Sequence, residues 1–242
     1  MNASTAAVPG STSVNTTSAF HTGAFWENLW RKSGINFVVI GVIAYVIYPS
    51  QPQVGTSADA VSAFYNAERM RILLAAALAA WNVVNLMWFA AALRNVLVDK
   101  GADGWGAAAT ASSAAFGGLY LLLITVVAAL AYSIAGVGNS AVTSALNDFL
   151  WAGVVMTSFP RAMLIMSGSF GLWRSGLISN RLFTAGVAAV VLALLGGFTW
   201  MSDGFLAPDG AYSRFISPLI GLVWVVVVTR VLTRTPATRS GW

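Results

Sequence analysis

The sequence predicts an all-α fold: a polytopic membrane protein built as a bundle of six transmembrane helices. Three observations predict it. Hydrophobic residues make up 57% of the chain and charged residues only 9%, against about 45–50% and about 25% in soluble domains. The apolar residues gather in six runs, and at 1.5 Å per residue about 20 of them cross a hydrocarbon layer. Lysine and arginine are concentrated in alternate connections between those runs.

Residues 1–25 are rich in Ser, Thr, Ala and Gly without a helical period. They are expected to be a disordered tail rather than a signal peptide, because no basic segment leads a prompt apolar run. "FWENLWRK" (25–32) is expected to be a short interfacial helix, which makes residues 1–33 an appendage to the membrane domain. The six spans are expected at about 34–49, 72–93, 107–131, 147–170, 182–201 and 215–233, within a membrane domain of residues 34–234. A tail, 235–242, follows. The connection 50–71 opens with Pro and Gly, then turns helical from Ser57. Ser57 is expected as N-cap, Asp59 in the first turn, and Val61, Phe64, Tyr65 and Glu68 on one face. In the third span, Ala111, Ala114, Ala115 and Gly118 are expected to allow close helix approach. Trp105 and Trp173 at one side, and Trp151 and Trp200 at the other, are expected in interfacial aromatic belts.

Orientation follows from Lys and Arg alone. With a cytoplasmic N-terminus, nine lie inside (Arg31, Lys32, Arg94, Lys100, Arg174, Arg181, Arg230, Arg234, Arg239) and three outside (Arg69, Arg71, Arg214). Both termini are therefore expected in the cytoplasm, as an even number of spans requires. The net charge of +5 comes from these scattered helix-end residues, so no nucleic-acid partner is expected.

The composition also excludes chemistry. There is no cysteine, and the single histidine, His21, precedes the first span. Thiolate catalysis, Cys-ligated metal centres and intramembrane bis-His haem cannot be built. Lys32 and Lys100 sit at predicted helix ends, away from any core Schiff base. No metal and no cofactor is expected.

Three polar sets need explanation. Arg161 follows Pro160 inside the fourth span. Proline removes an N–H and kinks the helix, so Arg161 either points into the bundle or marks the end of a short span at the inner interface. If interior, equal counting from the outer helix ends pairs it with Asn85 or Asn82, and its charge attracts an anionic group such as a lipid phosphate from the inner leaflet. Asn82 and Asn85, three apart on one face between Trp81 and Trp88, serve either as interhelical glue or as ligand contacts. Glu68 and Asp148 begin spans on the same side. They are either helix-end ion pairs or a carboxylate pair bordering a cavity, where a raised pKa equips one for acid catalysis.

The stretches "FYNAERMR", "DFLWAG" and "GLWRSGLISNRLF" (171–183) resemble a family of small six-span bacterial membrane proteins of unknown function. The resemblance implies a bacterial inner membrane and the six-span fold, and it brings no activity or site residues. Size and outer-edge carboxylates are loosely similar to the integral-membrane terpene cyclases, which have seven spans and share no motif with this chain.

Three functions fit these residues. The first is binding of a lipid or apolar small molecule, or service as an accessory membrane subunit. The second is a metal-free enzyme acting on a lipid or isoprenoid, with Glu68 or Asp148 as acid and Trp81, Trp88 and Trp151 stabilising positive charge. The third is a small secondary transporter. The same tryptophans, with Arg161, Asn82 and Asn85, are the candidate ligand contacts.

Overall fold

Apolar helices need partners on their polar and small-residue faces, and the computed structural model gives them. It describes residues 17–235, with side chains from residue 29; residues 1–16 and 236–242, which include most of the expected N-terminal tail and nearly all of the C-terminal one, lie outside the described residues. Eight α-helices are present among the described residues and no strand. They are α1 (Thr17–Ile47), α2 (Ala58–Ala67), α3 (Arg69–Asp99), α4 (Asp103–Tyr132), α5 (Ser140–Met156), α6 (Ser158–Arg174), α7 (Asn180–Leu195) and α8 (Ser217–Arg234). Six stretches are long and apolar enough to cross a membrane: Leu29–Ile47, Arg69–Asp99, Asp103–Val137, Ser140–Arg174, Asn180–Phe198 and Tyr212–Arg234. The protein is thus an all-α six-span bundle. The segment 25–32, expected as a separate interfacial helix, is part of α1, which runs unbroken from Thr17.

The two ends of the bundle differ. At the short-turn end, α3–α4 and α6–α7 are joined by glycines in the left-handed conformation, Gly101 (φ 71°) and Gly176 (φ 68°). Each closes a helix in the same way. Ala102 N–H bonds the Leu97 carbonyl (2.8 Å) and Gly101 N–H that of Val98 (2.9 Å). Leu177 and Gly176 repeat the pattern on Leu172 and Trp173, both at 2.9 Å. Arg31 finishes this end by donating from Nη1 to the carbonyls of Leu232 (2.9 Å) and Thr235, the last carbonyls of α8. A cation there also meets the negative end of the helix dipole.

The opposite, long-loop end carries α2 and the connections 133–139 and 199–211. Val61 and Tyr65 of α2 are fully buried against Ile72, Leu130, Ala135 and Leu150, so the face expected from the 61/65 spacing does pack inward. Ser57 is the N-cap but makes no side-chain cap bond. The chain breaks at Glu68 (φ −97°, ψ 13°) before α3 begins. The main core lies deeper: Phe89, Leu93 and Leu97 of α3, Ile165 and Leu172 of α6, and Trp224, Val228 and Leu232 of α8.

The third span corrects one expectation. Ala111, Ala114, Ala115 and Gly118 are exposed, and Gly118 has nothing within 4 Å of a would-be Cβ. The packed face is Ala109, Ser112, Ser113 and Gly117, where a Cβ on Gly117 would meet Val83 at 3.0 Å and Met87 at 3.2 Å. All these residues are small, so size alone could not rank the faces. Ser112 stays satisfied by donating to the Ala108 carbonyl, 2.7 Å away.

The fourth span breaks where Pro160 requires. Proline cannot donate to the carbonyl of residue 156, and α5 ends at Met156 with Thr157 between it and α6. Together α5 and α6 cover 35 residues, about 52 Å of helix. That exceeds a ~30 Å hydrocarbon layer, and the start of α5 packs against α2.

Candidate functional site

The sequence-predicted residues do not converge on one cavity. Glu68 pairs with Arg71 (3.0 Å) on the surface. Asp148 is partly buried and makes no hydrogen bond or ion pair among the described residues. Trp81 and Trp88 are 56% and 39% exposed and lie on the outside of the bundle. Asn82 and Asn85 are buried against neighbouring helices. A Cβ on Gly41 of α1 would lie 3.0 Å from Asn82 Nδ2. Asn82 Oδ1 has no partner among the described residues, and Asn85 Nδ2 donates weakly to the Trp81 carbonyl at 3.4 Å. Close packing against a glycine is the geometry of helix–helix contact.

Trp151 belongs to the interior rather than to an aromatic belt. It is 6% exposed, and its Nε1 donates to the Pro52 carbonyl at 2.9 Å. The Arg214 guanidinium lies 4.7 Å above its ring, a cation–π contact. Asn147, one turn earlier and fully buried, is the hub of this region. Its Oδ1 accepts from Tyr65 Oη (3.1 Å) and Gln51 Nε2 (3.2 Å), and its Nδ2 donates to Pro52 O (3.3 Å). Tyr48 Oη donates to Gln51 Oε1 at 3.3 Å and Arg214 Nη2 to the Gln51 carbonyl at 3.2 Å. Burial pushes the phenols of Tyr48 and Tyr65 well above the ordinary tyrosine range, so both stay neutral. The network pins the 48–54 connection across α2, α5 and the turn that precedes α8. Next to it is an open polar hollow of about 470 Å³, bordered by Gln53, Asp203, Asp209 and Arg214.

Arg161 is nine-tenths buried (9% exposed), as the interior reading expected, but its partners are serines. Nη2 donates to Ser158 Oγ at 2.9 Å and to Ser217 Oγ. Nε has no hydrogen-bond partner among the described residues. Gly196, just past the end of α7, packs on the same two hydroxyls: a Cβ there would lie 2.5 Å from Ser217 Oγ and 2.7 Å from Ser158 Oγ. The guanidinium therefore sits at the negative end of the α7 dipole. That placement contributes about 0.3–1 kcal/mol, ~2 at most. The charge is held in place by neutral groups and is not cancelled. Ser217 lies five residues after Tyr212, where the last span begins. Arg161 is thus near the long-loop end, not at the level of Asn85. Counting from Asn147 overstated its depth, because Asn147 is bonded to Tyr65 and Pro52 among the long-loop connections.

Below this cluster runs a second cavity, an apolar groove of about 410 Å³ between α7 and α8 with α6 as its floor. Leu182, Ala185, Ala189 and Leu192 form one wall, Leu219, Val223, Val227 and Val231 the other, and Ser169 and Leu172 the floor. The volume lies in the range of ligand sites, ~300–1,000 Å³. Small residues on α7 make the space. Gly186 lets α7 press onto α6, since a Cβ there would lie 2.5 Å from Ser169 Oγ. Trp224 fills the base of the groove, its ring edge-on to Phe89 (centroids 5.9 Å apart), and its Nε1 donates to Ser169 Oγ at 3.0 Å. That bond satisfies the indole N–H, so the surface left is hydrocarbon. Leu219 and Val223, 56% and 54% exposed, open it sideways.

Sequence reasoning singled out none of the groove residues. The available signal was the run of Ala and Gly over 185–189 in a helix with no polar residue between Ala185 and Leu195. Neither the groove nor the polar hollow is lined by Glu68, Asp148, Trp81 or Trp88. Comparison with protein-family models, curated proteins and solved structures finds no match to this chain.

Proposed function

We propose that this is a multi-pass cell-membrane protein that binds a lipid or a similarly apolar molecule in the groove between α7 and α8. The observation that carries the reading is the groove itself: ligand-sized, lined by aliphatic side chains, its one polar pair self-satisfied, and open along its side. An apolar ligand leaves no polar group unsatisfied on entering such a site and gains the close contacts that a fluid bilayer supplies less regularly. In the proposed orientation both termini are cytoplasmic and the long-loop end faces outward, on the nine-to-three distribution of Lys and Arg. Reporter fusions after Trp242 and within 203–212 should then report opposite sides.

The test of binding is the lipid retained after gentle purification, measured by mass spectrometry. Ala189→Phe places a ring in the middle of the groove and should remove a bound lipid. Leu122→Phe, on an exposed site of α4 (49% exposed), should retain it. Equal retention by both variants and the wild type would reject the groove as the site.

A further inference from the structure

The groove ends beneath an uncancelled positive charge. Leu219 and Ile220, which line it, follow Ser217 by two and three residues, and Gly221 comes next, where a Cβ would lie 3.1 Å from Arg161 Cδ. Tyr212 Oη donates to the carbonyl of Leu192 (2.6 Å), another lining residue, and closes the wall at this end. We propose that the groove and Arg161 together form a seat for an anionic amphiphile, with its chain in the groove and its acidic head, a phosphate, against the guanidinium. This inference rests on the groove being a lipid site and adds the class of head that the site selects.

Four observations converge on it. Arg161 is nine-tenths buried, yet it makes no ion pair among the described residues. The two serines hold and orient the guanidinium through Nη2; Nε is sealed inside, and Nη1, which makes no hydrogen bond among the described residues, is the donor left to offer. A guanidinium carries five N–H groups and stays charged in proteins, and it suits the tetrahedral oxygens of a phosphate better than an ammonium does. Finally, the dimensions match. From Leu219 to Val231 the groove wall is about 18 Å long, somewhat more than one leaflet of a ~30 Å layer. A lipid whose head lies at the long-loop interface, about a turn and a half below Tyr212, would lay a single chain along it. No carboxylate pairs with Arg161 among the described residues, so nothing there favours a cationic head.

The experiment measures thermal unfolding of the full-length protein in mild detergent, titrated with phosphatidylglycerol, with diacylglycerol of the same chains, which lacks the phosphate, or with inorganic phosphate. Phosphatidylglycerol should half-saturate at a concentration at least about tenfold lower than diacylglycerol, the worth of one charge-assisted hydrogen bond. Inorganic phosphate alone should not shift the transition, because it lacks the chain. Arg161→Gln should erase the gap between the two lipids and leave diacylglycerol binding as it was. Arg161→Lys should keep part of the gap, since it retains charge without the planar fork. Ser217→Ala, which frees the guanidinium from one of its holders, should narrow the gap and serves as the test if Arg161→Gln does not fold. Equal half-saturation by the two lipids in the wild type overturns the proposal. So does a gap that survives both Arg161→Gln and Ser217→Ala, or a full shift with inorganic phosphate. Ala189→Phe separates this from the parent reading: undiminished binding of both lipids by that variant rejects the groove, whereas a gap insensitive to Arg161 rejects only the head-group assignment.

Discussion

Asn147→Leu removes the hub of the long-loop end while keeping volume close to constant, and its cost can be worked from the contacts. Asn147 is 0% exposed. Without its amide, the Pro52 carbonyl keeps the Trp151 indole donor at 2.9 Å. Gln51 is half-buried and can turn to water. Tyr65 is 0% exposed, and its hydroxyl loses the acceptor at 3.1 Å. One buried donor left unpaired costs about 1–3 kcal/mol, so the expected loss is about 2 kcal/mol, roughly a 30-fold change in the unfolding equilibrium. Tyr65→Phe alone removes the donor and leaves Asn147 Oδ1 its bond from Gln51 (3.2 Å), so it should cost about 1 kcal/mol. The two should not add: Tyr65→Phe also removes the hydroxyl that Asn147→Leu strands, so the double variant should lose about 1 kcal/mol, a coupling of about 2 kcal/mol. Equilibrium unfolding in mixed micelles, followed by tryptophan fluorescence, measures all three. A loss below about 0.5 kcal/mol for Asn147→Leu, or strict additivity in the double variant, would refute the claim that this network pins the connection.

The same accounting gives the opposite result at Asn82, whose Oδ1 already lacks a partner among the described residues; Asn82→Leu should therefore be neutral to stabilising, within about 1 kcal/mol, in the same unfolding assay. Gly196→Ala should destabilise by about 1–3 kcal/mol, because its Cβ would fall 2.5 Å from Ser217 Oγ, and Ser217→Gly in the same chain should recover part of the loss. For the buried phenols of Tyr48 and Tyr65, the folded-state pKa lies above the unfolded value of about 10. Their contribution is fully present below about pH 10 and is lost as pH rises beyond it. The melting temperature should fall above that pH, and less steeply in Tyr65→Phe than in the wild type.

The spans were legible because each element's character repeats along its length. Long apolar runs, the Gly101 and Gly176 turns and the break before Pro160 each follow from local chemistry. The inward face of α2 was legible for the same reason: Val61, Phe64 and Tyr65 share one face at helical spacing, with Val61 and Tyr65 fully buried and Phe64 and Glu68 at its partly exposed edge. The site was less legible. Asn147 reads as one polar residue at a helix start, and nothing local tells that Gln51 and Pro52 fold back onto it from 95 residues away. Arg161 stood out as a buried charge, but its partner Ser217 is 56 residues away and is one serine among many. Depth counting pointed to Asn85, since it took no account of the part of α5 that packs with α2 and the 48–54 connection. The groove was hidden for a third reason. It is a gap left between small side chains, and the spacing of α7 from α8 depends on how Trp224 and Gly186 pack, not on the period of either helix.

The claim that a lipid chain occupies the α7–α8 groove is tested most directly by location. Protein reconstituted in phosphatidylglycerol vesicles containing a trace of lipid with a photoactivatable group midway along one acyl chain is irradiated, digested and sequenced by mass spectrometry. The account predicts adducts concentrated on residues 182–192 and 219–231, competed away by excess unlabelled phosphatidylglycerol and absent from Ala189→Phe. Adducts spread evenly over the exposed faces of α1, α3 and α4, with no competition and no response to Ala189→Phe, would contradict it.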